Sequence, residues 1–530
     1  MQFTESNKNK LKINDGFILA AVIFFALFLR TYKLDNRPLH VDEAVHAVKF
    51  GELLEDGYYK YDPVEYHGPT LNYFTLISSS LAGIYAYEDL NEYTIRLVPA
   101  VTAVLFILLV AILFTEREKH LKLLIVTLLA ISPIFVFYSR YYIQEVLLVS
   151  FTYSLIFVFY RYLQSKKIGL MIFAGVLAGL VFATKETSII IFGTGIFSVL
   201  AIYMLDNDFR KKIVFSLSHV SVFLVSAVVV AILFYSSFFS NNAGIIDSLK
   251  AFTNYFTKAG GNQEHIHPWY YYLKLLLYTN NDKIFFSEVF LFLFAVIGIY
   301  FSFFKKSEGR NYSIFKFISL FSLLQLFIYS AIPYKTPWLA LNFWIGFLIL
   351  AAFGIFRSYF VFEHKGGQIL FIAFVGMILF QNMWQTYDTN FKYPYQPENP
   401  FTYSQATPDV ITLANIVTDI ADTTPEGKTI LIDVTAPNSD YWPLPWYLRK
   451  FKNVAWNNEV RNSIYNFPII ISVPEYEDQI IEKLYTIPPP GKKNLYVPLF
   501  DQYLELRPGV ELRGYIQKDV LDIYNHSLTQ

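Results

Sequence analysis

Over its first 384 residues the chain alternates long apolar runs with short polar breaks. The runs cover residues 16–29, 94–114, 122–138, 145–163, 168–184, 187–204, 213–235, 285–304, 314–332, 338–357 and 369–384. Most approach the roughly 20 residues that an α-helix needs to cross a bilayer. The first follows the lysines of Asn7-Lys8-Asn9-Lys10-Leu11-Lys12, and Arg30-Thr31-Tyr32-Lys33 stands where a small-residue cleavage site would be. That pattern predicts a retained, tilted helix rather than a cleaved signal peptide.

One further apolar run, 70–86, decides the topology. Counted as a span, it puts the basic segment 116–122 outside and inverts every later loop. Laid on the outer interface, it leaves loops 117–122, 161–167, 210–212, 305–310 and 357–365 inside, and all of them are basic. The positive-inside rule then selects about 11 spans, with a cytoplasmic N-terminus and an extracytoplasmic C-terminus. The outer loop 31–93 contains Gly57-Tyr58-Tyr59-Lys60-Tyr61-Asp62-Pro63 and His67-Gly68-Pro69-Thr70. Its alternation of aromatic and polar residues predicts juxtamembrane helices on the outer leaflet.

From residue 385 the pattern changes. A Pro- and Tyr-rich linker at 392–400 precedes a predicted helix at 407–422, a strand at 429–434 and the end of a short helix at 447–451. A strand at 467–473 and a helix at 475–484 follow. Alternating elements predict a small α/β domain. The fold class is therefore an α-helical polytopic membrane protein, residues 1–384, with a C-terminal extracytoplasmic α/β domain, residues 385–530. Its expected location is the cell (plasma or inner) membrane.

Composition agrees. The 530 residues are 54% hydrophobic and only 16% charged, against about 25% charged for a soluble protein. The 52 Phe and 40 Tyr suit lipid-facing surfaces and interfacial belts. Formal net charge is zero, so no nucleic-acid partner is implied. Residues 385–530 carry 12 Lys and Arg against 18 Asp and Glu, leaving the excess of positive charge beside the apolar runs. With no cysteine in the chain, disulfides, thiolate nucleophiles and Cys-ligated metals are excluded. There is no phosphate-cradling glycine loop.

The same topology puts Asp42, Glu43, Glu145 and Glu186 on one membrane face. Charge at the edge of lipid is costly and usually functional. Asp42-Glu43 reads either as a helix-capping acid pair or as a catalytic pair. In the second reading Asp42 is the general base for an incoming hydroxyl and Glu43 holds structure through neighbouring donors. Glu145 follows Arg140 by five residues. It either caps a helix and pairs with that arginine, or orients an acceptor or cation while Arg140 faces a lipid phosphate. Lys185-Glu186 is either a self-neutralising pair or places Lys185 on a phosphate leaving group. Tyr334-Lys335-Thr336-Pro337-Trp338 presents another cation on that face, and Arg96 and His67 are weaker phosphate-side candidates. Snorkelling from the interface accounts for any one of these cations alone. Glu264-His265-Ile266-His267 has the donors for a divalent cation, or for contacts to sugar or phosphate. The catalytic candidates are thus Asp42, Glu43 and Glu145. The substrate-binding candidates are Arg140, Lys185, Glu186, Lys335, Tyr334, His67, Arg96, His265 and His267. No cofactor is predicted, and a divalent cation is the one addition left open.

The order of these motifs resembles the polytopic glycosyltransferases of the C-type (GT-C) fold. The resemblance is to the superfamily of dolichyl-phosphate-mannose protein mannosyltransferases and aminoarabinose transferases. It is carried by His40-Val41-Asp42-Glu43-Ala44, His67-Gly68-Pro69, Arg96-Leu97-Val98-Pro99-Ala100 and Ser139-Arg140 through Glu145. Tyr334-Lys335-Thr336-Pro337-Trp338 and Tyr441-Trp442-Pro443-Leu444-Pro445-Trp446-Tyr447-Leu448-Arg449 are similar to a subgroup named for a flippase-associated archaeal N-glycosylation protein. Lipid-A-modifying relatives tend to have Lys-Pro-Pro at the His67-Gly68-Pro69 position, and many relatives have Asp where Glu145 stands. The resemblance implies a polyprenyl-phosphate-linked sugar donor, transfer with inversion, and a protein, lipid or glycan acceptor. The competing expectations are a lipid-linked sugar flippase or transporter, and a non-catalytic glycan-assembly factor. Against transport, few candidate charges fall at the bilayer midplane, where transport sites lie.

Overall fold

Lipid offers a peptide backbone no hydrogen-bond partner, so an apolar run must satisfy its own amides and carbonyls. Among the described residues, each of the eleven runs does so mainly as helix. The structure is a computed structural model that describes the chain except for residues 1–4, 65–66, 115–117, 214–215, 262–264, 305–312, 489–490, 492 and 529–530. The basic loop expected at 305–310, Glu116, Arg117 and Glu264 therefore lie outside the described residues.

Among the described residues, seven helices are long and apolar enough to cross a membrane, or eight if one bent pair counts as a single span. Three runs form shorter apolar helices, Gly16–Thr31, Ile168–Phe182 and Val289–Phe304. The expected count of about 11 spans holds only if these also cross. In chain order the first elements are α1 (Glu5–Thr31), α2 (Val41–Asp56), α3 (Thr70–Ala82), α4 (Glu92–Leu113), α5 (Lys119–Ile131), α6 (Pro133–Ser139), α7 (Glu145–Ser165), α8 (Ile168–Phe182) and α9 (Ser188–Leu205). The 13 residues of α3 reach only about 20 Å, too short to span, as its interfacial placement requires. The span Pro337–Tyr359 runs through the middle of the bundle, and 94% of its apolar window is buried. Close packing there needs glycine. A Cβ on Gly354 would lie 2.0 Å from the Phe294 carbonyl oxygen of the neighbouring helix.

The run 122–138 reads as one span but breaks at Ser132, with a 57° bend between α5 and α6. Pro133 opens α6 and has no N–H, so the Leu129 carbonyl loses its helical partner. Buried Arg30 replaces it. Its Nη2 donates to Leu129 O at 3.0 Å and its Nη1 to Ala130 O at 3.0 Å.

The C-terminal region holds a five-stranded mixed sheet. After the small hairpin β1 (Thr279–Asn280) and β2 (Phe285–Phe286), its strands are β3 (Ile432–Thr435), β4 (Val454–Asn457), β5 (Ile469–Ser472), β6 (Tyr496–Pro498) and β9 (Arg513–Gln517). A second hairpin, β7 (Glu505–Arg507) and β8 (Val510–Glu511), lies between β6 and β9. The sheet order is β4-β3-β5-β9-β6, with β3 parallel to β4 and β5 and the β9 pairings antiparallel. Helix Asp409–Thr423 buries Val410, Leu413, Val417 and Ile420 against Ile432, Val434 and Ile469.

This region docks on the segment that leads into α2. Tyr447 Oη accepts the Leu39 N–H at 2.8 Å, and Gln405 Nε2 donates to Pro38 O at 2.9 Å. Trp446 Nε1 donates to Glu92 at 2.8 Å. The motif 441–449 is thus bound to the membrane part.

Candidate active site

The two adjacent acids of α2 meet opposite surroundings. His40 caps the helix, its Nδ1 accepting the Asp42 N–H at 3.0 Å. Glu43 folds back and accepts the His40 N–H at 2.9 Å, closing a capping box. Its other bonds come from Arg96 Nε at 2.7 Å, Arg96 Nη2 at 2.8 Å and the Tyr142 N–H at 2.8 Å. Both side chains of this ion pair are fully buried. Burial alone would raise the Glu43 pKa, but the adjacent Arg96 charge and hydrogen bonds outweigh it and hold the carboxyl below its ordinary range. Asp42 instead lines a cleft of about 110 Å³. Its carboxylate has no hydrogen-bond or ion-pair partner among the described residues.

Three other elements close that cleft. From the start of α7 comes Glu145, and from the α8–α9 turn comes Lys185; the two form a buried ion pair. Tyr334, Thr336 and Trp338 supply the facing wall. His67 stands at the rim, its Nδ1 2.8 Å from Glu186 Oε2, and Tyr61 Oη donates to Glu186 Oε1 at 3.1 Å. Burial would raise the Glu186 pKa, and the His67 contact reverses that and lowers it. This contact depends on Gly68, where a Cβ would sit 2.2 Å from the Ala183 carbonyl oxygen. Only glycine lets the 67–70 segment lie against the α8–α9 turn, where Thr70 Oγ1 donates to Thr184 Oγ1 at 2.9 Å.

Several expectations are corrected. Arg140 neither pairs with Glu145 nor faces the cleft. Its Nη1 donates to the carbonyls of Leu29 at 3.0 Å and Tyr32 at 2.8 Å, and its Nη2 to Lys33 at 2.8 Å. It satisfies the carbonyls that the end of α1 leaves open. Arg96 is no phosphate contact either, because all its N–H groups are used. Besides Glu43 they reach Leu34 O, Arg37 O and Pro38 O at 3.0, 2.8 and 3.2 Å. Glu43 is likewise sealed away from any reacting atom. Lys335 is 1% exposed and its ammonium donates to the carbonyls of His267, at 3.0 Å, and Ile332. Lys185 and Glu186 do not neutralise each other; each takes a different partner.

His265 and His267 flank a bridge that pairs Ile266 with Tyr334. Lys335 N–H donates to His265 O at 3.0 Å, and His267 N–H to Pro333 O at 3.1 Å. The His267 ring stacks on Tyr271 at 4.2 Å, and the His265 ring meets Tyr334 edge-on at 5.5 Å. This loop braces the Tyr334 wall. Among the described residues no three His, Asp or Glu side chains gather as a metal-binding group.

Among the polar cleft residues that went unread in the sequence are His46, Gln144 and Thr187. His46 follows Asp42 by four positions in α2, the spacing that puts two side chains on one helix face. Burial lowers its pKa to about 3, with His67 adding to the effect, so the ring is neutral. A separate groove of about 360 Å³, walled by Phe159, Phe192, Phe223 and Phe321 among others, has no charged side chain among the described residues of its lining.

Residues 66–235 match the family described as dolichyl-phosphate-mannose-protein mannosyltransferase. No curated protein matches the chain in sequence. Among solved structures, ArnT from Cupriavidus metallidurans in the apo state superposes with a TM-score of 0.60 at 14% identity, covering 93% of this chain and 97% of that one. ArnT from the same organism bound to undecaprenyl phosphate gives 0.58 at 14% identity, over 93% of this chain and 97% of that one. The oligosaccharyltransferase AglB from Archaeoglobus fulgidus, in complex with an inhibitory peptide and a dolichol-phosphate, gives 0.56 at 12% identity, over 88% of this chain and 70% of that one. The narrower resemblance to the flippase-associated subgroup stays an expectation. Taken with the helical bundle and the C-terminal α/β region, these matches identify the chain as a multi-pass membrane protein of the GT-C fold.

Proposed function

We propose that the chain is an integral-membrane glycosyltransferase that moves a sugar from a polyprenyl-phosphate donor to an acceptor hydroxyl or amide at the outer membrane face, with inversion. The observation that carries this is the unpaired Asp42 carboxylate opening into the same cleft as the Lys185–Glu145 pair. A carboxylate without a partner is a competent proton acceptor. Asp42 takes the acceptor proton as the acceptor atom bonds to the anomeric carbon. The bond from that carbon to the phosphate oxygen breaks, and the phosphate leaves with the electron pair. Lys185 stabilises the growing negative charge on the phosphate, and Glu145 holds the ammonium in place until the phosphate arrives. Attack opposite the leaving group inverts the anomeric centre.

The solved neighbours with undecaprenyl phosphate and dolichol-phosphate support a polyprenyl-phosphate donor here. The apolar groove provides a dry surface of the kind a prenyl chain requires. The basic inner loops support a cytoplasmic N-terminus and an extracytoplasmic C-terminal region.

The test is reconstitution of the full-length protein in liposomes with radiolabelled polyprenyl-phosphate sugars and a membrane extract as acceptor source. Label appearing in the acceptor fraction, with release of free polyprenyl phosphate, supports transfer. Lipid-linked sugar that crosses the bilayer unaltered would replace this reading with a flippase.

A further inference from the structure

The cleft holds a hydrogen-bonding couple that the transfer chemistry does not use. Gln144 Nε2 lies 3.5 Å from His46 Nδ1. An amide N–H only donates, so Nδ1 accepts and the ring proton sits on Nε2. That Nε2 donor has no hydrogen-bond partner among the described residues. At the other end of the couple, the Gln144 carbonyl oxygen Oε1 is buried and has no hydrogen-bond partner among the described residues, and Gln144 itself is 1% exposed. The hydroxyls of Thr187 and Thr336, each 2% exposed, line the same cleft without a hydrogen-bond partner among the described residues. A buried polar atom left unpaired costs about 1–3 kcal/mol, and folded proteins leave few of them.

The unmet groups define the ligand that would meet them. One N–H donor and one carbonyl acceptor, at opposite ends of the couple, suit two hydroxyls of one ligand, since a hydroxyl both donates and accepts. An apolar ligand would leave both groups unpaired. A carboxylate-bearing ligand would meet the His46 donor but oppose the Gln144 carbonyl and the Asp42 carboxylate. The cleft is small, about 110 Å³, which suits a single sugar ring better than an oligosaccharide.

We infer that His46 and Gln144 read the sugar ring of the donor by pairing with two of its hydroxyls, and that Thr187 takes a third. The inference rests on the glycosyl-transfer reading and names the residues that select the sugar. None of them takes part in bond cleavage.

The experiment measures binding by the full-length protein in nanodiscs. Its probes are bare decaprenyl phosphate and a panel of decaprenyl phosphates, each bearing one neutral hexose, one pentose or one uronic acid. The wild type should bind at least one neutral-sugar lipid about tenfold tighter than the bare lipid, and the uronic-acid lipid no tighter than bare. Gln144→Met and His46→Phe should erase that margin while the bare-lipid Kd stays unchanged, which also reports an intact fold. Should either variant lose bare-lipid binding, the smaller changes Gln144→Asn and His46→Gln decide by the same comparison. Variants that keep the wild-type margin would overturn the assignment and leave transfer standing. A wild type with no margin for any sugar would overturn the transfer reading itself.

Discussion

Replacing Glu43 by Gln should destabilise the protein severely, while the same change at its neighbour Asp42 should not. Glu43 accepts four hydrogen bonds between 2.7 and 2.9 Å, two at each oxygen. An amide keeps one oxygen and turns the other into a donor. Two buried donors then lose their acceptor, and the Arg96 guanidinium loses its counter-charge. Breaking one side of a buried ion pair costs about 3–5 kcal/mol. Each orphaned donor alone accounts for about 1–3 kcal/mol of that scale. Equilibrium unfolding in mixed micelles measures it. The double variant Glu43→Met with Arg96→Met should lose less than the sum of the two single changes, because removing both charges leaves neither uncompensated. The pair also has a pH signature. The depressed Glu43 pKa adds stability above the unfolded value of about 4.3, and this contribution is lost as pH falls through the lower folded value. The Glu43→Gln variant should lack this acid limb. A Glu43→Gln protein within about 1 kcal/mol of wild type, the scale of an ordinary hydrogen bond, would refute the reasoning.

Other outcomes follow from the same geometry. Arg140→Met should lower stability by about 1–3 kcal/mol per freed carbonyl at the end of α1 and leave the donor KM unchanged; a raised KM with unaltered stability would restore the phosphate role. Tyr447→Phe removes the acceptor of the Leu39 N–H next to the α2 cap, so kcat in the transfer assay should fall several-fold at constant donor KM. His46 is neutral in the folded protein down to a pKa of about 3, against about 6.5 unfolded. The unfolded chain therefore binds the extra proton, and stability should fall as pH drops from about 6.5 towards 3. His46→Gln should flatten that slope in a pH series of thermal unfolding.

The features legible in the sequence were those that lipid enforces locally. Apolar length marked each helix, basic loops kept α3 off the list of spans, and acids at helix ends marked the face that carries the cleft. Side-chain partners were not legible, because the groups that meet are far apart in sequence. Lys185 meets Glu145 across 40 positions, and Arg140 meets the Leu29 carbonyl across 111. The local spacing of Arg140 and Glu145 pointed to a pair that the fold does not make. Pro133 did signal a break inside the run 122–138, but the length of that run masked it. His46 was readable from its spacing to Asp42, although a lone buried histidine is more often a core residue. The edge strand β4, Val454-Ala455-Trp456-Asn457, has no apolar–polar alternation to announce it. What distinguished Asp42 from Glu43 was the position of Arg96, which only the folded chain supplies.

The central claim is that Asp42 deprotonates the acceptor. Its most direct measurement is the single-turnover rate of sugar transfer in reconstituted Asp42→Asn protein, alongside unfolding stability and binding of bare polyprenyl phosphate. The account predicts a rate lower by about 10²–10⁴, with stability and lipid binding equal to wild type. Transfer at the wild-type rate by the folded, lipid-binding variant would contradict it.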